Sequence, residues 1–121
     1  KAIGYTEYPD LNEVREAINI KIGVPDYLPS GFELSGVEVR TYSDTLQDIV
    51  LKYTDGLSDI SLFQRANNFS KPSQPKSEMN YEDGLLRVLY WRADDMDYSL
   101  VSELPWEEML RIAESVFPID R

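Results

Sequence analysis

The densest group of side chains able to do chemistry is Asp94, Asp95 and Asp97, three carboxylates within four residues. Oxygen ligands of this kind suit calcium, but a helix–loop–helix calcium loop is longer, turns on a glycine and closes on a glutamate. None of this surrounds Asp94. The stretch Ala93-Asp94-Asp95-Met96 reads as a solvated hairpin turn, where Asp is common. Paired carboxylates can cleave glycosides, and the chain holds 22 acids, yet no local motif sets one acid beside another in an apolar setting. Ser30 and Ser70 have no base partner, because there is no His and no Cys. That removes Ser–His and Cys–His pairs, thiolate chemistry, disulfides and the usual zinc ligand sets. Asp55-Gly56 and Glu82-Asp83-Gly84 read as turns, and no glycine loop is arranged to cradle a phosphate. The triplet Asn68-Phe69-Ser70 fits the glycosylation sequon, which matters only in a suitable host. The expectation is a protein that is not an enzyme, with no catalytic residue, no metal and no cofactor.

Charge and length narrow the class further. The chain has 121 residues, enough for one domain over 1–121, and its 42% hydrophobic content can supply a core. Asp plus Glu outnumber Lys plus Arg by 22 to 12, for a net charge of -10. The excess is shared, with 11 acids against 5 bases in residues 1–60 and 11 against 7 in residues 61–121. A polyanion meets repulsion over most of such a surface, so no nucleic-acid partner is expected. No apolar run reaches the roughly 20 residues of a membrane helix. A start at Lys1 without Met leads to the expectation of a piece excised from a secreted or membrane-anchored parent.

The elements that position these residues follow from periodicity. Asp10 with Glu13 reads as a capping box, and Leu11, Val14, Ala17 and Ile18 share a helical stripe that should stop before Pro25, with Gly23 near its end. Residues 24–31, with Pro25 and Pro29, read as an extended connector. Phe32 and Leu34, then Val37 and Val39, change parity across Gly36, which predicts a β-bulge at Ser35-Gly36. Residues 48–54 and 57–65 read as strands joined by a hairpin at Asp55-Gly56. Residues 66–84 read as an exposed loop. Residues 85–92 and 97–103 form a second hairpin. Pro105 opens a helix whose stripe is Trp106, Met109, Leu110, Ala113, Val116 and Phe117. The predicted class is α+β: an antiparallel meander sheet of about five strands flanked by an N-terminal and a C-terminal helix.

The strand faces give the one functional lead. One face would take Ile49, Leu51, Tyr53, Ile60, Leu62, Leu86, Val88, Tyr90, Tyr98 and Leu100, covered by the helices. The other face of a two-layer domain is ordinarily polar. Here it would carry Val50, Phe63, Leu85, Leu89, Trp91 and Val101, a second apolar set that calls for a partner, a ligand, an N-terminal part of the parent or a curl of the sheet on itself. These six residues are the candidate protein-contact face.

Three segments resemble a known family. "VPDYLPSGFELSGVEV" (24–39) is similar to the proline-punctuated entry of the MucB/RseB C-terminal domain and of related domains on bacterial membrane-anchored anti-sigma factors. "LKYTDGLSDISLFQ" (51–64) resembles the hairpin of that domain, with its aspartate-glycine turn. "LLRVLYWRADDMDYSLVSELPWEEMLRIAESV" (85–116) is similar to its closing strand, strand and helix. The resemblance implies a relative of the lipoprotein-carrier folds, in which a curved antiparallel sheet wraps around helices. It implies an extracytoplasmic location, in the periplasm or at the cell surface, and a regulatory role in a sigma-factor pathway. The chain departs from the family in being too short for the large lipid-binding half, and in the acidic turn at 93–96 where relatives more often use glycine. Two functions follow as expectations. One is a protein-binding module whose partner is an anti-sigma-type protein or a second copy. The other is a small carrier or sensor for a lipid or lipoprotein. A flat apolar patch would favour the first and a concave cavity the second.

Overall fold

A computed structural model describes residues 4–18, 21–66 and 79–119. The elements are β1 Gly4–Tyr8, α1 Leu11–Ala17, β2 Ile22–Pro25, β3 Glu33–Ser43, β4 Leu46–Thr54, β5 Asp59–Ala66, β6 Met79–Asp83, β7 Leu86–Ala93, β8 Met96–Ser102, α2 Trp106–Ser115 and β9 Val116–Ile119. Seven strands form one sheet in the order β1-β3-β4-β5-β8-β7-β6, and β2 pairs with β9 in a separate ribbon. Every pairing is antiparallel. The α+β class therefore agrees with the sequence, but the strand number, the strand order and the extent of the helices do not.

The sheet is not a simple meander, because β5 pairs with β8 while the β6–β7 hairpin occupies the edge. Residues 79–83, expected within a loop, form β6. The rest of that loop, 67–78, with the Asn68-Phe69-Ser70 sequon, lies outside the described residues. The N-terminal strand β1, which carries little apolar alternation, adds to β3 at the other edge.

Both helices are shorter than their stripes suggested. Asp10 caps α1 by accepting from the Glu13 N–H at 3.0 Å, and Val14 is fully buried. The chain is already extended at Ile18. Ile22 and Val24 then pair with Ile119 and Phe117, so the expected connector at Val24 and Pro25 is part of a strand. Branched residues resist helix and pack well in a ribbon. In the same way α2 ends at Ser115, and Val116 and Phe117 belong to β9. The buried residues of α2 are Met109, Ile112 and Ala113, with Leu110 only half-buried and Arg111 exposed as expected. The predicted bulge is present, as the β3–β4 register shifts between Leu34 and Gly36.

Pairing assigns the sheet faces, since residues directly opposite one another share a side. The inner face joins Val37 and Val39 to Ile49 and Leu51, then to Leu62, Leu100 and Leu89. Both helices and the ribbon pack on it. Gln64 fastens the ribbon: its side chain accepts from the Gly23 N–H at 2.6 Å and donates to the Gly23 carbonyl at 2.9 Å, all buried. Gly23 has to be glycine. A Cβ there would lie 2.3 Å from the hydroxyl oxygen of Tyr98, whose ring stacks on Trp91 with centroids 4.9 Å apart. Burial pushes the Tyr98 hydroxyl up to about 12.

Candidate functional site: the outer sheet face

Three rungs of side chains cross the outer face. The first is Arg40, Asp48, Arg65, Asp97 and Arg92, in register across five strands and alternating in sign. The second is Glu38, Val50, Phe63, Ser99 and Tyr90. The third holds Lys52, Ser61, Val101 and Val88. Opposite charges facing each other across strands stabilise such a rung, and the observed contacts use that arrangement. Arg65 Nε lies 2.5 Å from Asp48 Oδ1, with a second bond of 3.0 Å to Oδ2, and Arg92 bonds Asp97 at 2.9 Å. The bond from Asp48 holds the Arg65 guanidinium above its ordinary pKa.

Over β3 and β4 this face is closed by the fold's own charges. Glu38 is 3% exposed and accepts from Arg40 Nε at 2.6 Å, while Lys52 Nζ stands 2.8 Å away. Desolvation pushes the Glu38 carboxyl up, but the hydrogen bonds and charges of Lys52 and Arg40 outweigh it and hold the carboxyl below the ordinary 4.5. Lys52 also reaches Glu7 on β1 at 3.2 Å, and the Arg40 guanidinium lies 5.6 Å from the Phe63 ring centre. Beneath these groups Val50 is 1% exposed.

Over β5, β8 and β7 the face is open among the described residues. Phe63, Val88, Tyr90 and Val101 floor a trough of about 800 Å³, walled on one side by Asp48, Arg65, Asp97 and Arg92. The floor residues are partly exposed, and Tyr90 shows 43% of its surface.

The six candidate contact residues do not all stand here. Val50, Phe63 and Val101 are on the outer face, Val50 under the ion cluster and the other two in the trough. Leu89 and Trp91 are on the inner face, 0% and 4% exposed, opposite Leu100 and Tyr98. The correction has a geometric cause. Asp94 and Asp95, with φ of 56° and 61°, form a two-residue turn that sets Ala93 against Met96. From that pair, Trp91 falls opposite Tyr98 and shares its face. Val88 and Tyr90, expected in the core, therefore take the outer side, and Leu86 with them. Leu85 sits in the β6–β7 turn, 78% exposed, on neither face. The Asp94–Asp95 pair is thus a turn. Among the described residues, no three carboxylates are grouped so as to hold a metal ion, and no helix is long and apolar enough to cross a membrane.

No protein-family model matches the chain, and no curated protein matches it by sequence. Its fold is similar to that of MucB, whose crystal structure was solved in complex with MucA(peri). That similarity has a TM-score of 0.66 at 24% identity, over 82% of this chain and 37% of MucB. A second structure, the MucA/MucB complex of Pseudomonas aeruginosa, is similar with a TM-score of 0.64 at 22% identity, over 86% of this chain and 37% of the other. The class is therefore a MucB/RseB-like fold. The chain spans little more than a third of the structures it resembles.

Proposed function

We propose that this chain is a non-enzymatic, extracytoplasmic protein-binding module that regulates a sigma-factor pathway by holding an anti-sigma-type partner in the outer-face trough. The observation that carries the proposal is the apolar floor of Phe63, Val88, Tyr90 and Val101, which neither helix covers. Antiparallel sheets that face water on one side are normally polar there. Aromatic side chains at the centre of a patch with charges around it match the make-up of protein interfaces. The likeness to a protein solved with its anti-sigma partner supports the choice of partner class. The test is a calorimetric titration with the anti-sigma ectodomain encoded in the same genome. Tyr90→Ser with Val101→Thr should weaken binding by about 2 kcal/mol or more, a loss of roughly thirtyfold, if these residues are hot spots. Equal binding by the double variant would reject the trough as the contact. Sedimentation of the chain alone decides whether a second copy occupies it.

A second reading rests on the trough's size, which falls within the range of about 300–1,000 Å³ common for small-ligand sites. In that reading the trough holds an acyl chain. A fluorescent fatty acid displaced by the anti-sigma ectodomain would place both ligands on one surface. Failure of the fatty acid to bind would remove the lipid reading and leave the protein one standing.

A further inference from the structure

We infer a second contact surface at the far end of the sheet, where two hairpin tips hold out leucines to grip a cationic amphipathic helix of a partner protein. Leu57, in the turn between β4 and β5, is 96% exposed, and Leu85, in the turn between β6 and β7, is 78% exposed. Both tips leave the sheet at one end, because Ile60 and Arg87 pair with the two sides of the same residue, Ser102. Three strand spacings separate them, about 14 Å at the usual 4.7–4.9 Å each. This end lies opposite the charged wall of the trough, so the surface is independent of the function proposed above.

The first tip is built to keep its shape. The Asp55 side chain accepts from the Leu57 N–H at 2.9 Å and from the Ser58 N–H at 2.7 Å. The Thr54 hydroxyl accepts from the Gly56 N–H and donates to the Ser58 backbone carbonyl, each at 3.0 Å. Gly56 supplies the positive φ of 94° that the turn needs. In the second tip Gly84, with φ of 66°, takes the first turn position, leaving Leu85 where hairpins ordinarily carry Asn, Asp or Ser. A leucine held in water by a preformed turn gains nothing for the monomer, whereas a fixed apolar knob loses little entropy when something covers it.

The occupant follows from charge and backbone. Asp55, Asp59, Glu82 and Glu103 are exposed around the tips, and Arg87, a nearby cation, is bound to Glu82 and to the carbonyls of Glu103 and Leu104. An anionic bilayer is repelled by such a rim. A basic segment is attracted. The tip between β4 and β5 has its turn N–H groups satisfied internally and offers no strand edge, so recognition there works through side chains and not by strand addition. A helix with an apolar stripe about three turns long, at 5.4 Å per turn, spans both leucines while its Lys and Arg meet the carboxylates.

The probe is a Leu/Lys amphipathic peptide of roughly 18 residues, about five helical turns, with a scrambled peptide of equal composition as control. The patterned peptide should bind about tenfold tighter than the scrambled one, and Leu57→Ser with Leu85→Ser should abolish that tenfold preference. Amide shifts should centre on residues 56–58 and 84–86, and raised salt should weaken binding. Tyr90→Ser with Val101→Thr in the trough should leave peptide binding unchanged, which separates this surface from the other. Equal binding of patterned and scrambled peptides would overturn the inference. So would unchanged preference in the leucine variant at a retained melting temperature, or leucine-dependent uptake on anionic vesicles in place of the peptide.

Discussion

The two halves of the outer sheet face share one backbone geometry and one set of rungs, yet they differ in who covers their apolar residues. Over β3 and β4, Arg40 and Lys52 converge on the carboxylate of Glu38, and Val50 disappears beneath them. Over β5, β8 and β7, the arginines pair sideways along their own rung, Arg65 with Asp48 and Arg92 with Asp97. The floor of Phe63, Val88, Tyr90 and Val101 carries no acid that could draw a cation down onto it. A single buried carboxylate in the middle rung therefore decides which half is closed. Long cationic side chains can cover apolar surface only if their charged ends have somewhere to go.

The largest effect should come from the residues that the sequence placed on the wrong side. Leu89→Ala should cost about 2–5 kcal/mol, since Leu89 is fully buried and the change leaves a cavity. Chemical denaturation checks this, and a cost typical of a surface site would return Leu89 to the outer face. Replacing Trp91 would likewise destabilise the isolated chain, so Trp91 cannot serve as a probe of binding.

Gln64→Leu comes next. It leaves the Gly23 N–H and C=O without partners in the core, at about 1–3 kcal/mol for each group left unsatisfied. Hydrogen exchange should show the β2–β9 ribbon opening before the large sheet. Uniform loss of protection would mean that the ribbon and sheet unfold together whatever holds them.

Glu38→Gln tests the closed half directly. It should cost about 1–2 kcal/mol at neutral pH, the modest value of charge-assisted bonds whose cations are partly exposed. The native carboxyl has its pKa below 4.5, so its stabilisation is complete above that value and is lost as the pH falls through the folded pKa. Stability of the natural chain should therefore fall more steeply in acid than that of the variant. Parallel curves would show that Glu38 contributes nothing through its charge.

The smallest change in stability belongs to the open half. Tyr90→Ser should shift the unfolding free energy by less than about 1 kcal/mol, because Tyr90 is 43% exposed. A large loss would show that the trough is covered within the chain and is part of its core.

Local chemistry was legible in the residues themselves. Asp10 caps a helix, Asp55-Gly56 turns a hairpin, the parity change at Gly36 marks a bulge, and Pro105 opens α2. Each depends on side chains within a few residues of one another. The two-residue turn at Asp94-Asp95 also held the information that assigns Trp91 to the inner face, once its pairing is followed rung by rung. What the sequence alone determined about this protein is its α+β class, its acidity, its lack of His and Cys and the turns that join its strands. The tertiary structure alone decided that β5 pairs with β8, that Ile22–Pro25 joins Val116–Ile119 across nearly the whole chain, and that Val50 is covered while Val101 is not. Those outcomes depend on residues far apart in sequence meeting in space, where burial and charge pairing outweigh the local pattern of any one segment.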